Sequence, residues 1–188
     1  MTDLVNDPSV LNNNFKGIAF VGGFSYSDVF GAGVGWASRI KNNDELNENI
    51  ERFFNDPKKF SLGVCNGCQL MSLLGILPNI KLVENNSKRF ESRYVSIKIL
   101  ESNCIFTNDM ENTTFGMWSA HGEGKFVLKH ELDETQELYP MRYVNDDGNI
   151  TEKYPFNPNG SPNGIASICS RNGRHLAIMP HPERCFKD

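Results

Sequence analysis

The sequence predicts an α/β domain with a largely parallel sheet and flanking helices. Three observations carry that expectation. Two short continuous apolar runs, residues 17–21 and Phe60–Val64, read as buried strands. Two amphipathic segments, residues 44–54 and 66–75, read as helices beside them, and strand-like alternation resumes over residues 93–100. Strand, helix, strand, helix and then a strand-rich half is the order of a wound α/β sheet.

Each element has its own signal. The run G-I-A-F-V at 17–21 ends at Gly22 and Gly23, which predicts a strand emptying into a loop. In D-E-L-N-E-N-I-E-R-F-F, Leu46, Ile50, Phe53 and Phe54 recur at helical spacing behind Asp44 as the expected cap, and Pro57 stops the helix. The second helix is expected to turn Leu70, Leu73 and Leu74 to the core and to close at Gly75, with Pro78 beyond. Alternation at 124–128 predicts a further strand, and N-P-N-G-S-P-N-G at 157–164 a loop followed by strands at 165–169 and 176–179.

Composition narrows the function. The chain has 188 residues, 39% of them apolar, and no run of 18 apolar residues, which predicts one globular domain and no membrane span. Residues 1–14 lack the basic and apolar regions of a secretory signal. Five cysteines without framework spacing predict reduced thiols and a cytoplasmic setting. A formal net charge of −4, with no basic cluster beyond Lys58 and Lys59, argues against a nucleic-acid partner and for a small molecule or a protein.

The chemistry points to Cys65. Gly63, Cys65 and Gly67 form G-x-C-x-G at a strand-to-helix junction, the pattern of a nucleophile elbow with sulfur in place of oxygen. A tight turn leaves no room for side chains two positions either side, and it would set the sulfur at a helix N-terminus, where free amides are expected to lower the cysteine pKa. Cys65 and Cys68 could instead be a thioredoxin-like or zinc pair, but zinc needs about four ligands, and Cys104, Cys169 and Cys185 supply no second close pair. Cys68 then reads as a small buried residue on the first helical turn.

A thiol nucleophile needs a base and an orienting group. Of His121, His130, His175 and His181, only His181 is bracketed by prolines, and the extended backbone they impose turns Glu183 to the same side. His121, in S-A-H-G-E-G, is a rival base in a setting loosened by Gly122 and Gly124, while His130 and His175 read as surface or structural. Gly22 and Gly23 could supply one backbone oxyanion donor and Asn66 the other.

Together G-G-F-S-Y-S-D at 22–28, G-V-C-N-G-C-Q at 63–69 and H-P-E at 181–183 resemble the class I, triad-type glutamine amidotransferases. G-A-G-V-G-W-A at 31–37, R-F-E-S-R at 89–93, S-A-H-G-E-G at 119–124 and N-P-N-G-S-P-N-G-I at 157–165 resemble, more narrowly, the glutaminase domains of large single-chain phosphoribosylformylglycinamidine synthases. The resemblance covers nearly the whole chain and implies a flavodoxin-like fold. It implies glutamine hydrolysis in which Cys65 forms a glutamyl thioester, His181 moves the proton and Glu183 orients His181. Gly23 and Asn66 would form the oxyanion hole, and Gln69, Arg89, Phe90 and Glu91 the glutamine pocket. No metal or cofactor is implied in this domain; ATP and magnesium belong to a synthetase partner that takes the ammonia in purine biosynthesis.

The chain departs from that family in two ways. Ser27 stands where glycine is usual, which predicts a differently shaped loop. M-T-D-L at residues 1–4 resembles an internal segment that follows a first strand and helix, and the family continues past H-P-E-R into a closing helix, so the chain reads as a piece truncated at both ends. A free-standing cysteine hydrolase acting on γ-glutamyl or peptide bonds, and an inactive remnant, are the competing readings.

Overall fold

The structure, a computed structural model, describes residues 1–78, 80–128 and 138–185. In chain order the described helices are α1 (Thr2–Asn6), α2 (Val10–Asn14), α3 (Val34–Lys41), α4 (Asp44–Asn55) and α5 (Asn66–Leu74). The strands are β1 (Gly17–Phe20), β2 (Phe60–Val64), β3 (Ile80–Val83), β4 (Glu91–Ile99), β5 (Thr114–His121), β6 (Lys125–Leu128), β7 (Met141–Val144), β8 (Ser167–Cys169) and β9 (His175–Ile178). His130 lies outside the described residues.

The central sheet runs β1-β2-β9-β8, with β1, β2 and β9 parallel and β8 antiparallel to β9. This is the mostly parallel sheet the sequence predicts. The strand-rich second half builds two antiparallel sheets, β5-β4-β7 and β3-β6. The register Phe20↔Gly63 and Val64↔Ile178 brings the carboxyl ends of β1, β2 and β9 side by side. Loops leaving those three ends must meet, wherever they stand in the sequence.

Helix packing follows the apolar periodicity. In α4, Leu46, Ile50, Phe53 and Phe54 are buried, and a fully buried phenylalanine stabilises by about 1.5–3 kcal/mol. The cap is Asn43, not Asp44: its side chain accepts the Leu46 N–H at 2.9 Å, and Asp44 begins the helix as an acidic residue beside the free amides. α5 buries its first six residues and ends at Gly75 in the left-handed region, φ 78°. Leu73 is exposed, because Leu70 and Met71 claim the core face and Leu73 turns away from it.

β1 differs from the expected buried strand. Only β2 pairs with it among the described residues, so it is an edge, with Phe20 buried and Ala19 exposed. Helix α3 and strands β3, β5 and β7 were not foreseen from pattern. No helix among the described residues is long and apolar enough to cross a membrane.

Candidate active site

Three separated sequence segments converge at the carboxyl edge of the parallel strands. Gly22 and Gly23 follow β1, Cys65 follows β2, and His181 lies three residues past the end of β9. Cys65 sits at φ 50°, ψ −103°, the strained turn the G-x-C-x-G pattern predicts. Its N–H donates to Ile178 O at 2.8 Å, tying the elbow to β9. A Cβ on Gly67 would stand 2.0 Å from Phe20 O, so only glycine lets α5 pack this closely on β1. One on Gly22 would stand 2.7 Å from His181 Cε1 and 3.4 Å from Cys65 Cβ. The nucleophile candidate and the base candidate thus flank a single glycine.

His181 is fixed from two sides. Its backbone N–H donates to Trp118 O at 2.7 Å, joining the end of the parallel sheet to β5, and its Nδ1 lies 2.6 Å from Glu183 Oε1. Nε2 is buried and without a hydrogen-bond partner. A carboxylate can only accept, so it holds the neutral ring with the proton on Nδ1 and leaves Nε2 a bare acceptor. The prolines and the i, i+2 spacing foretold this pairing.

Cys65 departs from one expectation. Burial pushes its thiol up to about 11, although the Asn66 and Gly23 amides pull it down. The amide contribution is present, as a helix N-terminus requires, but desolvation at a residue only 6% exposed outweighs it. The group is a thiol, donating to Ala120 O at 3.6 Å, rather than a resident thiolate. The same two amides, at Asn66 and Gly23, are the pair expected to receive an oxyanion, and Gly23 adopts φ 132°, a conformation glycine tolerates.

A cavity of about 300 Å³ opens over the sulfur, lined by Cys65, Gln69, Phe90, His121, Glu123 and His181 among others. Gln69 is held by donating from Nε2 to Glu123 O at 2.7 Å and accepting at Oε1 from Asn66 Nδ2 at 3.0 Å. Phe90 packs on Phe24 with ring centroids 6.1 Å apart. Arg89 and Glu91 do not line this cavity; they line a neighbouring one of about 390 Å³ with Tyr154 and Asn157. Alternation is the reason: Phe90 and Ser92 line the cavity over the sulfur, and Arg89 and Glu91, at the alternate positions, line the other. Glu91 pairs there with Arg93 at 2.8 Å.

His121 is not loose. It ends β5 at 2% exposure, and Asn85 donates to its carbonyl at 2.8 Å. His175 is structural, with Nδ1 3.1 Å from Ser61 Oγ and Nε2 3.1 Å from Phe54 O. Cys68 is fully buried on the first turn of α5, and all five cysteines are free. Among the described residues no three His, Cys, Asp or Glu side chains cluster as metal ligands would. Ser27 keeps the glycine-like backbone, at φ 55° between Tyr26 at 52° and Asp28 at 50°, so the loop holds a left-handed shape despite the side chain. Sequence reasoning passed over Glu123, Asn85 and Ser92 as site residues; S-A-H-G-E-G was the available signal for Glu123.

The chain is similar to known proteins in sequence and in fold. The profile of the CobB/CobQ-like glutamine amidotransferase domain matches residues 1–188. The chain is 48% identical over 198 residues to a phosphoribosylformylglycinamidine synthase of Dictyostelium discoideum, covering 99% of this chain and 15% of that protein. It is 43% identical over 198 residues to the Homo sapiens protein of the same name, covering 93% of this chain and 15% of that one. The chain thus spans 15% of the length of either relative. In structure it resembles a chain of PurLQS from Thermotoga maritima with a TM-score of 0.72 at 28% identity, covering 94% of this chain and 73% of the other. With the whole of its length matched, and Cys65 and His181 lining one cavity, the chain belongs to the CobB/CobQ-like glutamine amidotransferase domain family.

Proposed function

We propose that this domain is the glutaminase part of a phosphoribosylformylglycinamidine synthase. The observation that carries the reading is the buried, unpartnered Nε2 of His181, held by Glu183 and lining the same cavity as the Cys65 thiol. A bare imidazole nitrogen beside a buried thiol is a proton acceptor with one evident donor.

The reaction begins with glutamine's side-chain carboxamide over the sulfur. As Cys65 Sγ bonds to the amide carbon, its proton passes to His181 Nε2, and the former carbonyl oxygen collects charge facing the Gly23 and Asn66 amides. Because burial raises the thiol, transfer of its proton to His181 accompanies the attack. His181 returns the proton to the departing nitrogen, releasing ammonia and leaving a glutamyl thioester. Water, deprotonated by His181, then cleaves the thioester to glutamate and regenerates the thiol. Gln69 and Phe90 shape the glutamine pocket from within the cavity, whereas Arg89 and Glu91 act from the adjoining one. The relatives' names support the wider assignment to a phosphoribosylformylglycinamidine synthase. On that reading the ammonia goes to a synthetase portion of the same enzyme, and the family resemblance implies that this portion would use ATP and magnesium to form the amidine in purine biosynthesis. Five free thiols fit a reducing, cytoplasmic setting.

The test is glutaminase assay of the domain alone and with the synthetase portion, against Cys65→Ala. Hydrolysis that needs the synthetase and vanishes in the variant is expected. Equal activity without the synthetase favours a free-standing hydrolase, and none in either condition an inactive remnant.

A further inference from the structure

His121 is a second imidazole in the cavity that the proposed chemistry leaves unused. Its surroundings determine where its proton sits. Asn85 is fully buried, and one end of its carboxamide faces two carbonyl oxygens, Arg89 O at 3.0 Å and His121 O at 2.8 Å. That end must be the NH2 group. The other end accepts the Gly124 N–H at 3.1 Å and lies 3.3 Å from His121 Nδ1. An amide oxygen only accepts, so Nδ1 carries the proton, and Nε2 of the neutral ring is a lone-pair acceptor.

That acceptor has no partner. Nε2 is buried and makes no hydrogen bond. The opposite edge of the ring is pressed on Gly124, where a Cβ would come within 2.4 Å of Nδ1, so the ε edge turns away from Asn85 and Gly124. Leaving a buried acceptor empty is unfavourable, and a ligand that fills it recovers what burial cost. We propose that Asn85 is a positioning residue that fixes His121 as the δ-protonated tautomer, so that His121 Nε2 accepts a hydrogen bond from an N–H group of the substrate in the Cys65 cavity. Two groups of glutamine could donate it, the side-chain carboxamide and the α-ammonium. Burial, with His181 close by, lowers the His121 pKa to about 4, so the acceptor survives at neutral pH, with Glu91 exerting a smaller opposite pull. This inference rests on the glutaminase reading and adds a contact to it.

Two measurements test it in the complete polypeptide. Imidazole nitrogen NMR of the wild-type protein at neutral pH should show His121 δ-protonated; an ε-protonated or doubly protonated ring overturns the proposal without need of a variant. In kinetics, His121→Asn, which keeps a polar group at the δ position and loses the ε acceptor, should raise the KM for glutamine on the order of tenfold with kcat little changed. His121→Gln, which restores an acceptor near the ε position, should recover most of that loss. With glutamate γ-methyl ester, which lacks the carboxamide N–H, the His121→Asn penalty disappears if the carboxamide is the donor and persists if the α-ammonium is. An unchanged KM for glutamine in a folded His121→Asn variant overturns this inference alone. A wild-type protein that does not hydrolyse glutamine overturns both readings.

Discussion

At Cys65 the backbone turns through φ 50°, a conformation that costs an L-residue about 1–3 kcal/mol, and the glycines on either side exist to permit it. Side-chain size at Gly63 and Gly67 is a local requirement, so it can be read in a single sequence. The acidity of the thiol cannot, because the burial that raises it depends on tertiary packing such as the contact with Ala120, 55 residues along the chain. The same contrast separates His181 from His121. Prolines and a carboxylate two residues away announce the first, whereas the order around the second is supplied by Asn85, 36 residues distant. Glu183 touches the outer nitrogen of His181 and is 54% exposed, so it orients the ring without entering the cavity. His181→Ala should therefore cost about 10²–10⁴-fold in kcat, and Glu183→Gln distinctly less. Stopped assays of both variants check this, and equal losses would contradict the division of roles.

Among the elements, those with strong periodicity were legible: α4 with its four apolar anchors, α5 with its glycine stop, and the long alternating β4. The short ones were not. α3 has eight residues with only Ala37 and Ile40 buried, and it starts at a left-handed Gly33 rather than at a polar cap. β7 is buried on both faces and includes Arg142, whose guanidinium donates to Tyr139 O and Asn163 O, so no alternation marks it. Gly116 interrupts β5 where a Cβ would strike the Tyr94 ring. Which cavity Arg89 and Glu91 line was not legible at this scale, since it needs the facing of β4 and not merely its existence. Convergence of β1, β2 and β9 is what turns three legible loops into one site, and only the pairing order of the sheet provides it.

For the whole molecule, two buried imidazoles link stability to acidity. Burial lowers both His121, to about 4, and His175, so the folded protein binds fewer protons than the unfolded chain below the ordinary histidine value of 6.5. Stability contributed by these groups is complete above 6.5 and declines as pH falls toward 4, by about 3 kcal/mol for His121. Burial also pushes Glu91 up, but Ser87, Arg93 and Arg89 together more than reverse this, so its contribution is lost only below 4.5. Urea unfolding across that window should show a steeper decline in the wild type than in His121→Asn, and parallel curves would contradict the linkage.

Covalent participation of Cys65 remains the claim on which the proposed chemistry depends. Its most direct test is mass spectrometry of the complete polypeptide, acid-quenched during turnover of glutamine. A glutamyl group carried by the Cys65 peptide, and absent from His181→Ala and Cys65→Ala, is the expected result. Turnover with Cys65 unmodified, or with the glutamyl group on Cys68 or another cysteine, would contradict it.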